Sequence, residues 1–275
     1  MRKIRPDRAN QMHCWSGRGT SGGKVVSQSK GWLMPQIEVF RDADELATQA
    51  AREFSELAEN AIAARGRFAV ALSGGSTPKK MFQQLENISM DWRYIHLFWV
   101  DERCVPPDHP DSNYRMTSTV LLNNIEIPEE NVHRIQGELS PEQAVLVYEK
   151  ELRVFFEEQL PVFDLILLGL GSDGHTASLF PGSPALQDNE RWVVEVKHNT
   201  PPPPLVDRVT LTFPVLKQAG EVIFLVSGKE KSGILSKILK SSSISEPIPV
   251  SELSDNQSNT HWFIDRDAAA GWYKS

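Results

Sequence analysis

The chain has 275 residues, 40% of them hydrophobic and 24% charged, with a formal net charge of −7 at neutral pH. That is enough apolar material for one large core or two modest ones. No apolar run approaches the roughly 20 residues a membrane-spanning helix needs, since the longest, residues 163–170, already contains Asp164, and the acidic balance disfavours a nucleic-acid partner.

Charge is uneven along the chain. Residues 1–34 carry seven basic side chains (Arg2, Lys3, Arg5, Arg8, Arg18, Lys24 and Lys30) against Asp7, a net +6 that leaves −13 on the remainder. This head lacks both the apolar centre of a secretory signal and a helical period. It reads as a disordered extension or the product of an upstream start, with organelle targeting the less favoured alternative. The strand-like MPQIEVF from Met34 makes a natural start, so a single α/β domain is expected over residues 35–275. Cys14 and Cys104 are distant and in unlike contexts, which suggests neither a disulfide framework nor a metal cluster and fits the cytoplasm. Monomer and small homo-oligomer both remain open.

From Met34 onward, apolar runs of strand length alternate with helical patterns, which predicts an α/β fold with a mainly parallel sheet covered by helices on both faces. A strand over residues 36–40 precedes DADELATQAAREFSELAENAIAARG, where Leu46, Ala50, Phe54, Leu57, Ala58 and Ala61 line one helix face and Gly66 ends it. A second strand, residues 68–72, runs into ALSGGSTP. There Gly74 and Gly75 let backbone N–H groups approach an anion, Ser76 and Thr77 add hydroxyls, and a following helix with Pro78 in its first turn adds its dipole. This is a phosphate cradle; an ordinary turn capped by Thr77 is the plainer alternative. Walker spacing is missing, so no nucleoside triphosphate is implied.

The strand over residues 95–100 ends at Asp101, Glu102 and Arg103. Three charges there are costly unless they meet a ligand or one another. Arg103 is expected to grip phosphate or orient a carboxylate, and Glu102 to be solvated. Pro106, Pro107 and Pro110 stiffen the next loop, and Asp111 or Ser112 caps the helix after it. Ser140-Pro141-Glu142-Gln143 opens a further helix, with an N-cap serine and a capping-box glutamine, expected to reach about residue 159.

A strand at residues 164–169 leads into LGLGSDGHTASLF, which contains the letters G-x-G-x-x-G. A dinucleotide loop would open a helix at the first βα turn of the domain, whereas SLFPGSP breaks any helix here. The stretch reads instead as a catalytic turn, in which Gly169, Gly171 and Gly174 free the backbone so that Asp173 and His175 project into one cleft. An imidazole, with an ordinary pKa of about 6.5, suits a general base beside a carboxylate. A capping or packing histidine is the commoner alternative.

Strands are expected at residues 192–197, 209–212 and 221–226, with NTPPPPLV a surface loop between the first two. Arg208 opens the second of these strands. SGKEKSGIL places Lys229 and Lys231 at the entry of a helix over residues 230–240, where basic groups oppose the dipole and point to an anionic ligand. KSSSISEPIPVSELSDNQSN reads as loop, and HWFIDRDAAAGW as a last strand and short helix. No His, Cys, Asp and Glu set has metal-ligand spacing, so neither a metal nor any other cofactor is expected.

In this order, ALSGGSTP, DERCVPPDHPDSNY, FDLILLGLGSDGHTASLFPG, RVTLTFPVL and SGKEKSGIL, spread over residues 37–270, closely resemble the 6-phosphogluconolactonase family, part of the wider glucosamine-6-phosphate isomerase/deaminase superfamily. The resemblance implies a Rossmann-like fold and hydrolysis of 6-phospho-D-glucono-1,5-lactone in the oxidative pentose phosphate pathway. Carried over by motif, it implies that Gly74, Gly75, Ser76, Thr77, Arg103, Arg208 and Lys231 surround the phosphate and sugar hydroxyls. Lys231, not Lys229, takes the G-x-x-K position counted from Gly228. Asp173 and His175 would be catalytic, and Asp101 would line the pocket. The sugar deaminases of the superfamily carry a glutamate five residues after the histidine; Phe180 stands there instead, which argues for the lactonase branch. Two alternatives stay open, a deaminase or isomerase with Asp101 as proton-transfer base and a non-catalytic sugar-phosphate sensor.

Overall fold

The computed structural model describes residues 24–25, 36–240, 248–254 and 259–272. In chain order the elements are β1 (Lys24–Val25), β2 (Gln36–Phe40), α1 (Ala43–Arg65), β3 (Phe68–Leu72), α2 (Ser76–Leu85), β4 (Ile95–Trp99), β5 (Asp101–Arg103) and α3 (Asn113–Val120). They continue with β6 (Val132–His133), α4 (Pro141–Phe155), β7 (Leu165–Leu168), β8 (Val193–Val196), β9 (Arg208–Leu211) and α5 (Phe213–Leu216). The last are β10 (Glu221–Val226), α6 (Ser232–Lys240), α7 (Ser251–Ser254), β11 (Thr260–Asp265) and α8 (Arg266–Ala269).

Local rules account for most boundaries. Asp42 caps α1 by accepting from the N–H groups of Asp44 and Glu45, and Leu46, Ala50, Phe54, Ala58 and Ala61 form its buried stripe. Ser140 caps α4 through the Gln143 N–H, with Pro141 at the first helical position. That helix stops at Phe155, short of the expected residue 159, because Glu157 and Glu158 adopt left-handed backbone, φ 53° and 59°, which no L-residue helix continues through. Two smaller differences lie further on. The helix expected from residue 230 begins with a separate 3₁₀ turn, Lys229–Lys231, and the segment read as loop contains α7.

The main sheet has the order β1-β2-β11-β10-β7-β3-β4-β6. Only β1 is antiparallel to its neighbour; the other pairs run parallel. Every residue of β3 and β7 is buried, so the sheet is covered on both faces, as consecutive apolar runs require. From β3 the chain moves outward to β4 and β6, then returns to β7 on the other side of β3 and continues to β10 and β11. That reversal opens a crevice at the carboxyl ends of β3 and β7, the place where open α/β sheets bind ligands.

Strands β8 and β9 do not join this sheet. With β5 they form a separate antiparallel sheet of order β5-β9-β8. Val100 stitches the two sheets together, its N–H donating to Leu72 O at 3.0 Å and its carbonyl accepting from the Leu211 N–H at 2.8 Å. The small sheet therefore flanks the crevice. Behind it, the buried Tyr148 hydroxyl of α4 accepts from Trp99 N (3.0 Å) and donates to Trp99 O (2.8 Å), fixing the end of β4.

Among the described residues no helix is long and apolar enough to cross a membrane. Within the basic head, Lys24 and Val25 pair with Val39 and Glu38; the rest of the head and Cys14 lie outside the described residues.

Candidate active site

A cavity of about 290 Å³ occupies the crevice. Its walls include Gly74, Gly75, Ser76 and Thr77 after β3, Asp101 and Arg103 of β5, His175 after β7, Arg208 of β9 and Lys231 after β10. Asp173 stands behind His175 instead of on the wall, and Lys229 is not part of it.

At the end of β3, Ser73 Oγ donates to Leu167 O at 2.7 Å, tying β3 to β7. Gly75, not Thr77, is the N-cap of α2, so Ser76 and Thr77 lie in the first turn, where their N–H groups have no intrahelical partner. Thr77 Oγ1 and Ser227 Oγ share a hydrogen bond of 2.7 Å, which draws the start of α2 to the end of β10. A Cβ on Gly74 would run into the side-chain amide of Asn113. That amide donates to the Asp101 carbonyl (2.9 Å) and to Asp101 Oδ1 (3.3 Å), while Ser178 Oγ donates to Asp101 Oδ2 (2.6 Å). Both oxygens of a carboxylate that is only 5% exposed are thus held. Neither Asn113 nor Ser178 was singled out in the sequence, because nothing local pairs either with residue 101.

Glu102 is corrected by the structure. Far from being solvated, it is 2% exposed and accepts from the N–H groups of Arg103 (2.7 Å), Asn113 (2.8 Å) and Tyr114 (2.8 Å) and from Ser112 Oγ (3.0 Å). The cause is β5: residues that looked like a free strand end are paired to β9, which turns Glu102 inward under the start of α3. Burial pushes its carboxyl above the ordinary value, partly offset by the three N–H donors. Of the two capping candidates for α3, Ser112 is the N-cap.

The β5–β9 register sets Arg103 directly opposite Arg208. Like charges across a strand pair are destabilising on their own. Arg103 Nη1 donates to Asp111 O, while its Nε is buried without a hydrogen-bond partner. Arg208, 5% exposed, donates Nε to Val206 O (3.0 Å) and Nη2 to Pro204 O (2.9 Å). Burial draws the Arg208 pKa below its ordinary value; Asp101 opposes this and Arg103 adds to it. Two forked cations side by side at a cavity wall suit an oxyanion that bridges them.

After β7 the chain makes turns with no immediate helix. Asp173 Oδ1 accepts from the His175 backbone N–H (3.1 Å) and bonds the ring Nδ1 (2.6 Å). A carboxylate only accepts, so Nδ1 carries the proton, and in the neutral ring Nε2 keeps a lone pair. Burial raises the Asp173 pKa, but the hydrogen bond and charge of His175 outweigh it and leave the carboxyl below its ordinary value. A Cβ on Gly171 would overlap the His175 ring and crowd Asp173 Oδ1, whereas the space beside Gly169 is open. Among the described residues no group of three or more His, Cys, Asp and Glu side chains is arranged to hold a metal ion.

Residues 41–262 match the family model described as Glucosamine-6-phosphate isomerases/6-phosphogluconolactonase. The chain belongs to this family. The 6-phosphogluconolactonase of Synechocystis sp. is 39% identical over 240 residues, which cover 86% of this chain and 98% of the relative. The 6-phosphogluconolactonase of Homo sapiens is 39% identical over 243 residues, covering 85% and 92%. Among solved structures, 6-phosphogluconolactonase from Trypanosoma cruzi superimposes with a TM-score of 0.80 at 30% identity, over 89% of this chain and 99% of that one.

In this member of the isomerase/6-phosphogluconolactonase family, Phe180 packs between two histidines. Its ring centroid is 4.5 Å from that of His175 and 4.2 Å from that of His198, the latter nearly parallel at 16°. Beside Arg103, burial above all, then Asp207 and Glu102, pushes the Cys104 thiol up to about 12.

Proposed function

We propose that this protein hydrolyses 6-phospho-D-glucono-1,5-lactone to 6-phospho-D-gluconate, a step of the oxidative pentose phosphate pathway. One observation carries the reading: a single cavity holds a carboxylate-oriented imidazole with Nε2 free, beside a cross-strand arginine pair and the N-terminus of α2. His175 Nε2 takes a proton from water as the water oxygen attacks C1, and the carbonyl electron pair moves onto oxygen. Collapse of that tetrahedral oxyanion breaks the bond from C1 to the ring oxygen, which receives the proton back from His175 and leaves as the C5 hydroxyl. One histidine serves both halves. Asp173 keeps its ring in the productive tautomer.

Gly74, Gly75, Ser76 and Thr77 with Arg103, Arg208 and Lys231 hold the phosphate and hydroxyls, and their cations also favour the oxyanion. Phosphate binding contributes positioning more than bond cleavage. The catalytic unit is residues 35–275, acting without a cofactor in the cytoplasm as a monomer or small homo-oligomer; the chain's two unlike cysteines, Cys14 and Cys104, fit a reducing compartment. An isomerase or deaminase using Asp101 as base is disfavoured by Phe180, which stands where the sugar deaminases carry a glutamate.

The test follows hydrolysis of freshly generated lactone through coupled 6-phosphogluconate dehydrogenase. Wild type should far exceed the blank, and His175→Ala should lose on the order of 10² or more in kcat while still binding 6-phosphogluconate. Wild-type turnover no faster than the blank, with 6-phosphogluconate bound, would mean a sensor and end the lactonase reading.

A further inference from the structure

The wall of the cavity facing the β8–β9 connection is built from Pro202 and Pro203. Four consecutive prolines, Pro201 to Pro204, have no backbone N–H, so this stretch can fasten itself to the body only by accepting hydrogen bonds at its carbonyls. Two side-chain bonds do so, and a third holds the nearby Val206. Arg208 donates to Pro204 O and Val206 O, and His198 Nε2 donates to Pro202 O at 2.6 Å. A carbonyl only accepts, so the proton of that bond sits on Nε2. His198 itself is 4% exposed and is fixed twice more, its backbone N–H donating to Asp207 Oδ1 at 3.2 Å and its ring stacking on Phe180, which in turn packs on His175.

We infer that His198 is a positioning residue for substrate binding: by donating to Pro202 O it holds the proline wall against the cavity, in register with the His175 ring through Phe180. The inference rests on the lactonase reading for its substrate, but the latch is a property of the loop. Arg208 serves the same loop from inside the binding machinery, so its replacement would confound two roles. His198 separates them, since it is not on the cavity wall. A wall made of proline rings gives an apolar, stiff surface for the carbon face of a sugar, and its distance from the cradle sets how well the substrate fits. Loss of the latch therefore weakens binding of substrate without touching the proton transfer at Nε2 of His175.

Two variants divide the donor from the ring. His198→Phe keeps a ring to stack on Phe180 and loses the donor; His198→Gln loses the ring and keeps a donor. Steady-state kinetics on 6-phosphogluconolactone should show KM raised roughly fivefold in His198→Phe, the usual effect of one hydrogen bond, with kcat within about twofold and KM largely restored in His198→Gln. Trypsin supplies a readout that needs no turnover. Cleavage after the exposed Lys197, at the foot of the loop, should accelerate in His198→Phe and not in His198→Gln. A KM in His198→Phe equal to wild type, or equal losses in both variants, overturns the inference. Should wild type fail to hydrolyse the lactone, the functional reading falls and the latch is judged on trypsin alone, where equal cleavage of wild type and His198→Phe overturns it.

Discussion

Asp173 is one-third exposed, yet its carboxyl is held below the ordinary value by His175. The sign of the linkage follows. A carboxyl whose folded pKa lies below its unfolded one contributes stability above the ordinary carboxylate range, near pH 4, and loses it as pH falls through the lowered value. Asp173→Asn should lower kcat about tenfold or more by releasing the His175 ring. Its denaturation midpoint should also sit below wild type at pH 7 and converge with it toward pH 3. An offset that stays constant across that range would show that the carboxylate charge does not bind His175. At this scale the sequence was readable where polar residues followed a buried strand in a glycine-rich turn, as Asp173 and His175 do. It was silent on Asn113 and Ser178, whose role comes from Asp101, 12 and 77 residues away. Gly169 looked equivalent to Gly171, and only the packing of His175 distinguishes them.

Among the elements, the junction of β5 with α3 turns on one side chain. Glu102 accepts from three N–H groups and one hydroxyl, all donors. Glu102→Gln would face those donors with an amide NH₂, and should cost about 2–3 kcal/mol, the range for losing charged hydrogen bonds at a buried site. Urea denaturation measures this, and an unchanged midpoint would refute the role given to Glu102. Strand spans and helix ends were legible because apolar period and capping residues are local: Gly66 and Ser140 each marked a boundary that the structure keeps. The small antiparallel sheet was not. VVEV and RVTL are buried runs like those of the main sheet, and which partner they choose is decided by Val100, a single residue between β4 and β5 that carries the chain from one sheet to the other.

Across the whole molecule, the site gathers at the reversal of strand order, and every described residue that lines the cavity lies between Ser73 and Lys231. A chain beginning at Met34 should therefore keep kcat/KM within about twofold, with a small loss of stability from the missing pairing of Lys24 and Val25 with β2. A collapse of activity on that truncation would show that the head takes part in the reaction. The α/β class and the location of the site at strand ends were legible because alternation of strand and helix periods constrains topology. The order of strands was not, since all the central ones are equally apolar.

The hydroxyl pair between Thr77 and Ser227 joins residues 150 apart, and the bond from Ala69 N–H to Asp164 joins residues 95 apart. Closing such long loops is the slow part of folding, because chain entropy is lost before the contacts that reward it are made. The cradle and Lys231, which follows Ser227, belong to opposite sides of that closure. No contiguous fragment as short as half of the chain contains both the cradle and Lys231, so catalytic competence is born only when the two halves of the sheet have zipped together, and enzyme activity regained on refolding reports the arrival of the last long-range pairing.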